Sequence, residues 1–125
     1  MQNLIYIAVA GALGSLSRYG LGIWVQNLNL GKFPYGTLSV NIIGCLLIGL
    51  IGTFADEKSL LSPQLRAALL FGFLGAFTTF SSFSYDTWNL IKISSYGQAI
   101  LYVALSLICC FIGLAIGIFT ARQLG

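Results

Sequence analysis

A short run of hydroxyl and aromatic side chains, residues 78–83, interrupts an apolar stretch of the chain. It reads Thr-Thr-Phe-Ser-Ser-Phe; Ser84 adds a fifth hydroxyl, and Gly75 lies just before it. An unpaired polar group in hydrocarbon costs several kcal/mol, hydroxyls compete with the backbone for hydrogen bonds, and glycine loosens a helix. Five hydroxyls here indicate a segment that faces a pathway or a partner, and not lipid.

The two phenylalanines of this run, Phe80 and Phe83, are three residues apart and would share one helical face. An aromatic ring has a negative face and a positive edge. A ring edge can therefore attract an anion without carrying a charge. Paired phenylalanines in a membrane usually contact lipid or the core, but their alternation with Ser and Thr favours a pore.

Asn41 is the amide side chain that lies deepest in an apolar stretch, and it follows Thr37 by four residues on one helical face that Gly44 and Cys45 continue. The amide offers both donors and an acceptor. Two interpretations stay open with equal weight. Asn41 either makes an interhelical hydrogen bond, worth about 0.6–2 kcal/mol, or lines a pore.

A second polar stripe consists of Tyr102, Ser106 and Cys110 at strict four-residue spacing. A water-filled track is one interpretation of the stripe. Ordinary packing, with the serine bonded to its own backbone, is the other, and it is favoured for the stripe taken alone.

Arg18 and Asp86 are charges inside or near apolar segments, where charged groups are functional candidates. Arg18 would pair with a helix C-terminus or draw anions into a vestibule, and Asp86 lies near the expected interface. The chain has no histidine, and no second carboxylate or activated nucleophile accompanies either charge. The sequence therefore argues against catalysis, and we expect no enzyme activity.

The composition requires a membrane. Of 125 residues, 58% are hydrophobic and 7% are charged, against about 25% charged in soluble domains. The net charge of +3 is small and scattered, which excludes nucleic acid as a partner. The three cysteines fall in apolar stretches without a CxxC motif, so neither a disulfide framework nor a metal cluster is expected.

The apolar stretches predict an all-α membrane protein, with residues 1–125 forming one domain of four transmembrane helices at about 4–25, 35–55, 64–91 and 97–120. The third would be about 42 Å long, against a hydrocarbon core of about 30 Å. A break near residues 75–79 is the favoured interpretation. The alternative is one long tilted helix whose polar end lies in the headgroups.

Small residues and basic residues suggest how the helices associate. Glycines recur at close spacing in pairs that favour close backbone approach: Gly11 and Gly14, Gly72 and Gly75, and Gly113 and Gly117. Four spans divide five of the basic residues three to two between the membrane sides. Such a weak bias barely sets orientation and would permit an antiparallel dimer.

Three pieces of sequence match one known family. They are Gly-Ala-Leu-Gly at 11–14 leading to Arg18-Tyr19, Pro-Tyr-Gly-Thr-Leu-Ser-Val-Asn at 34–41, and Gly-Ala-Phe-Thr-Thr-Phe-Ser-Ser-Phe-Ser at 75–84. In this order and in a chain of this size they are highly specific. The chain resembles the Fluc (CrcB) fluoride channels over nearly its whole length.

The resemblance implies an antiparallel, dual-topology homodimer with two pores in the inner or plasma membrane, each subunit having four helices with the third broken. Its partners would be fluoride, the lipid bilayer and a second identical subunit. Fluoride would leave the cytoplasm passively, which relieves its toxicity.

The resemblance also assigns residues. Phe80 and Phe83 match the aromatic pair that lines the ion path, and Asn41 matches the pore asparagine. The other expected positions along or beside the path are polar: Arg18, Thr37, Thr79, Ser81, Ser84, Tyr102 and Ser106. Cys110 stands where a hydroxyl would continue the polar track, and Asp86 stands where glutamate is expected.

A structural sodium ion is the cofactor that the resemblance implies. Gly75 and Thr78 match a break whose backbone carbonyls hold sodium at the centre of the dimer, where it is not transported. Sodium is a hard cation that prefers oxygen ligands, and a broken helix exposes carbonyls that lack partners.

Three other functions remain to be weighed. A small multidrug exporter would need a carboxylate in the first helix, and residues 4–25 contain none. An accessory subunit would use its polar stripes as interfaces and would carry no current. A membrane enzyme is the least supported, because the chain has no histidine and no clustered carboxylates.

Overall fold

The computed structural model describes residues 2–28 and 31–124, and the regular structure in those ranges is entirely helical. Three long helices and a composite third span make up the chain. In chain order the elements are α1 Gln2–Leu28, α2 Tyr35–Asp56, α3 Pro63–Ala67, a π-helix Ala68–Leu74, α4 Gly75–Phe77, α5 Phe80–Lys92 and α6 Tyr96–Leu124.

Four spans are long and apolar enough to cross a membrane: α1, α2, the composite span Pro63–Lys92, and α6. Each begins and ends within a few residues of the apolar segment seen in the sequence. The chain is a multi-pass membrane protein.

The third span is interrupted at Thr78 and Thr79, where the backbone is extended. Thr78 has φ −82° and ψ 155°, and Thr79 has φ −153° and ψ 115°. The Thr79 hydroxyl accepts a hydrogen bond from the Ser82 amide (3.0 Å) and so caps α5. The span is therefore not one continuous helix, and the interruption lies within the 75–79 region that the sequence favoured.

α2 and α6 pack closely because glycines let their backbones meet. A Cβ atom at Gly113 would lie 3.2 Å from the Ile42 carbonyl oxygen, and one at Gly117 would overlap the Leu46 carbonyl. Ile42 and Leu46 thus face Gly113 and Gly117 in the same order along both helices. α2 and α6 run parallel and in register, with the glycine pair at their contact as the sequence predicted.

α1 packs against the π-helix by the same device. A Cβ atom at Gly72 would lie 2.9 Å from the Ile7 carbonyl oxygen, and one at Gly14 would overlap the Phe73 carbonyl. Gly75, in contrast, is exposed, and the nearest atom to its would-be Cβ belongs to its own turn, Leu70. A side chain at this position would therefore meet no other helix of the described chain.

Polar side chains fix both ends of the bundle. At one end, Gln26 accepts a hydrogen bond from the Gly36 amide (2.9 Å) and donates to the Phe33 carbonyl (3.0 Å), which ties α1 to the start of α2. At the other end, Arg66 pairs with Asp56 at 2.9 Å. Glu57 and Arg122 form a two-point ion pair at 2.6 and 2.9 Å.

Candidate functional site

The side chain of Asn41 holds the break in the third span. Asn41 Nδ2 donates to the Thr79 carbonyl (3.0 Å), and Asn41 Oδ1 accepts from the Thr79 amide (2.8 Å). Both backbone groups of one extended residue are thus paired with one side chain. The interhelical interpretation of Asn41 therefore holds, and the residue also lines a cavity.

This contact changes the end of α4. In a continuous helix the Thr79 amide would donate to the Gly75 carbonyl, but here it donates to Asn41. The Thr78 amide and hydroxyl both donate to the Leu74 carbonyl, at 3.1 and 2.9 Å. The break therefore deprives the exposed Gly75 carbonyl of its helical donor, and the extended Thr78 carbonyl no longer points along a helix.

One cavity, of about 260 Å³, lies against the break and is called here the break cavity. Phe80 and Phe83 contribute tilted rings whose centroids are 5.5 Å apart. Its lining combines apolar side chains with a few polar groups: Asn41, Cys45, Thr78, Thr79, Phe80, Phe83, Ser106, Leu107, Cys110 and Phe111.

Ser106 places an unpaired hydroxyl beside the break cavity. Its residue is only 6% exposed. Within residues 2–28 and 31–124, Ser106 Oγ is the one buried side-chain polar atom that has no hydrogen-bond partner. The alternative in which this serine bonds to its own backbone is wrong. A buried unpaired hydroxyl costs free energy unless a ligand or water completes it.

A second cavity, of about 380 Å³ and called here the arginine cavity, also borders the break, through Thr79 and Ser82. Arg18 lines it and makes no ion pair in the part of the chain that the structure describes. The remaining lining is Tyr19, Gly22, Ile23, Gln26, Gly36, Thr37, Val40, Thr79 and Ser82. Because Thr79 lines both cavities, the break forms the wall between them.

Three of the expected pore residues, and Gly75 of the expected sodium site, line neither cavity. Ser84 is exposed and donates to the Phe80 carbonyl of its own helix (3.1 Å), while Ser81 Oγ lies 3.3 Å from the Thr79 hydroxyl. Tyr102 is fully buried, and its hydroxyl donates to Asp86 Oδ2 (3.3 Å). It supports the site indirectly, since its ring packs on Phe83 with centroids 5.3 Å apart.

The sequence stripes on α2 and α6 face each other, which neither stripe shows by itself. Asn41 and Ser106 line the break cavity together, and one turn further on Cys45 and Cys110 do the same. In both pairs the two members are 65 positions apart, as two parallel helices that line one cavity require. Both stripes have four-residue spacing, but the sequence does not show that they line the same cavity.

Among the lining residues that the sequence does not single out as site residues, Gln26 and Ser82 have polar side chains. Gln26 reads as the polar end of a helix, and Ser82 is one hydroxyl of the run at 78–84. Both border the arginine cavity. For Ser82 the signal is present in the run, and for Gln26 it is the four-residue spacing from Arg18 through Gly22 to Gln26, which places all three on one face of α1.

A family model and several relatives match almost the whole chain. Residues 5–118 match the family model described as CrcB-like protein, Camphor Resistance (CrcB). A protein of Geotalea uraniireducens named fluoride-specific ion channel FluC is 48% identical over 99% of this chain and 100% of its own length. Proteins with the same name from Sorangium cellulosum and Hahella chejuensis are 43% and 42% identical, over 99% and 98% of this chain and 98% and 96% of their own. The chain belongs to the CrcB-like family.

Proposed function

We propose that this chain is a fluoride-specific channel that lets fluoride leave the cytoplasm down its electrochemical gradient. Relatives that are 42–48% identical over almost the whole chain are named fluoride-specific ion channels. The observation that carries the proposal is Ser106, a residue of the break-cavity lining whose buried hydroxyl has no hydrogen-bond partner among the described residues. A small anion is the ligand that a lone donor in an uncharged cavity suits.

The proposed path begins at the arginine cavity. The guanidinium of Arg18, which makes no ion pair with any described residue, raises the local anion concentration there. The ion then passes the Thr79 wall into the break cavity, where no charged side chain contributes to the lining.

Uncharged donors replace the hydration shell of fluoride in the break cavity. The Ser106 hydroxyl is free, and the amide of Asn41 keeps a second N–H besides the one donated to Thr79. The rings of Phe80 and Phe83 offer positive edges. Larger halides fit a narrow path less well and gain less from the same donors, so we infer selectivity for fluoride.

We also propose that the working unit is an antiparallel homodimer. Phe80 is 75% exposed in the single chain although it lines the break cavity, and Gly75 at the start of α4 is exposed as well. A second subunit seated on this face would cover both residues and close the path. The weak asymmetry of basic residues permits opposite insertion.

A structural sodium ion fits the chemistry of this face. The Gly75 carbonyl lacks its helical donor, because the Thr79 amide donates to Asn41 instead. Thr78 supplies a second carbonyl at the same break. When bound, sodium would neutralise these oxygen dipoles. Replacing sodium by a bulky organic cation in the purification buffers should lower the temperature at which the dimer dissociates; an unchanged value argues against the ion.

The decisive experiment for the function is efflux from proteoliposomes loaded with potassium fluoride. With a potassium ionophore present and no other gradient, a channel should release fluoride at once, and an ion-selective electrode should record it. An accessory subunit would release none. A coupled exporter would release fluoride only when a driving ion gradient is applied.

A further inference from the structure

Two cysteines face each other across the α2–α6 contact. Cys45 and Cys110 both line the break cavity, one helical turn beyond Asn41 and Ser106. Gly113 and Gly117 hold the two helices parallel and in close contact. Both side chains are partly buried on the wall of the same cavity, and neither is in a disulfide.

A facing pair of thiols on a cavity wall has a defined ligand chemistry. Thiolates are soft ligands that select soft, polarizable metal ions over hard ones. Hard cations such as sodium and magnesium prefer oxygen, which this part of the cavity does not concentrate. The pair therefore suits a soft cation that takes two sulfur ligands on opposite sides.

We propose that Cys45 and Cys110 form a two-thiolate binding site for a soft, thiophilic cation of the Hg²⁺ class, on the wall of the break cavity. Binding converts two S–H bonds into two metal–sulfur bonds. Two protons leave into the cavity water, and no electron is transferred. With Hg²⁺ the product is uncharged, so the site loads without leaving a fixed charge among apolar side chains.

The position of the site gives it a consequence for transport. A metal held between α2 and α6 at this level occupies cavity space one turn from the Ser106 hydroxyl. Fluoride movement past Ser106 should then be obstructed sterically. This consequence rests on the proposed function, whereas metal binding does not.

Binding is tested with Hg²⁺ alone as the probe. Purified full-length protein is incubated with Hg²⁺ and an excess of a small monothiol competitor and then desalted, and the retained mercury is measured against protein. The competitor removes mercury that is bound by only one sulfur atom, so the mercury that is retained is bound by two. We expect an equimolar amount on the native chain and its loss in Cys45→Ala and in Cys110→Ala.

Cys109 supplies the matched control, because it neighbours Cys110 in sequence but does not line the break cavity. Cys109→Ala should retain mercury as the native chain does. Cys110→Ser, which keeps the size of the side chain, should lose it, and gel filtration verifies that each variant is folded. Retention in either Cys45 or Cys110 variant, or none by the native chain, would overturn the site.

The transport arm separates the two proposals. Hg²⁺ added to proteoliposomes should slow fluoride efflux through the native chain at least tenfold and leave the Cys45→Ala variant unaffected. Unaltered efflux in a native chain that holds mercury would overturn the block. Absence of any efflux before mercury is added would contradict the proposed function, while the retained-mercury result would still decide the binding site.

Discussion

Asn41 and Thr79 are 38 positions apart in the chain, yet one amide side chain pairs with both backbone groups of the other residue, at 2.8 and 3.0 Å. The Asn41 side chain supplies the two hydrogen-bond partners that the backbone of Thr79 would have in a continuous helix. In a membrane, backbone groups outside a regular helix are tolerated only where protein or water supplies their hydrogen-bond partners. The contact therefore lets a broken helix persist at this depth, and it places the break between the two cavities.

Replacing Asn41 separates its support of the break from its proposed place on the ion path. Asn41→Ala leaves the Thr79 N–H and C=O without partners, and each such group costs about 1–3 kcal/mol. We expect a clearly lower melting temperature in detergent. Asn41→Asp keeps an acceptor for the Thr79 amide, so it should melt closer to the native protein.

The same Asn41→Asp variant should block fluoride efflux at neutral pH, because a fixed negative charge repels anions at close range. Melting and efflux are measured on the same preparations. Normal efflux through this variant would contradict the placement of Asn41 on the path.

The aromatic pair should matter for conduction more than for folding. Phe80→Ile or Phe83→Ile removes a ring edge from the break cavity while keeping a large apolar side chain. Fluoride efflux should fall by about tenfold or more, the change that a barrier raised by ~1.4 kcal/mol produces. Phe71→Ile is the control, because Phe71 is also exposed but lines neither cavity. Equal efflux from all three variants would refute an aromatic role.

The α2–α6 contact should tolerate no side chain at Gly117. A methyl group there overlaps the Leu46 carbonyl, which belongs to the backbone and cannot rotate away. Gly117→Ala should therefore separate the helices and lower the melting temperature strongly. Gly52→Ala is the matched control on α2, since nothing lies within 4 Å of its would-be Cβ. That variant should be neutral or stabilised by about 0.5–1 kcal/mol. Similar melting of the two variants would show that close backbone contact is not what holds α2 to α6.

The Glu57–Arg122 ion pair should make stability depend on acidity. The hydrogen bond from Arg122 lowers the pKa of Glu57 below its ordinary 4.5. A lowered pKa means that the stabilisation is present above pH 4.5 and is lost as the pH falls through the folded value. The melting-temperature difference between native protein and Glu57→Gln should therefore be constant near neutrality and shrink below pH 4.5.

Arg122→Gln should reproduce that profile, and the double variant should lose no more than either single one. Both side chains are exposed, so a small effect is expected. Additive losses in the double variant would show that the two residues act independently.

Composition and hydrophobic length predict much of this fold. Four apolar spans, the interruption near Thr78 and the glycine contact at Gly113 and Gly117 all follow from periodicity and residue type. The π-helix Ala68–Leu74 does not, because nothing in that apolar run distinguishes one helical winding from another. The full burial of Tyr102 does not follow from the sequence either, because its hydroxyl donates to Asp86, which lies on a different helix.

The sequence predicts individual residues of the candidate site but not the contacts that bring them together. The sequence singles out Asn41 and Ser106 on separate stripes. It does not reveal that Asn41 binds the backbone of Thr79, because backbone partners leave no trace in side-chain patterns. The pairing of Cys45 with Cys110 required the parallel register, which depends on backbone contacts at glycines.

Paired electrode readings of fluoride and chloride leaving the same proteoliposomes test the central claim most directly, that uncharged donors around the Asn41-held break conduct fluoride selectively. The native chain should release fluoride rapidly while chloride stays inside, and Ser106→Ala should slow the fluoride release. Equal release of both halides, or no release of either, would contradict the account.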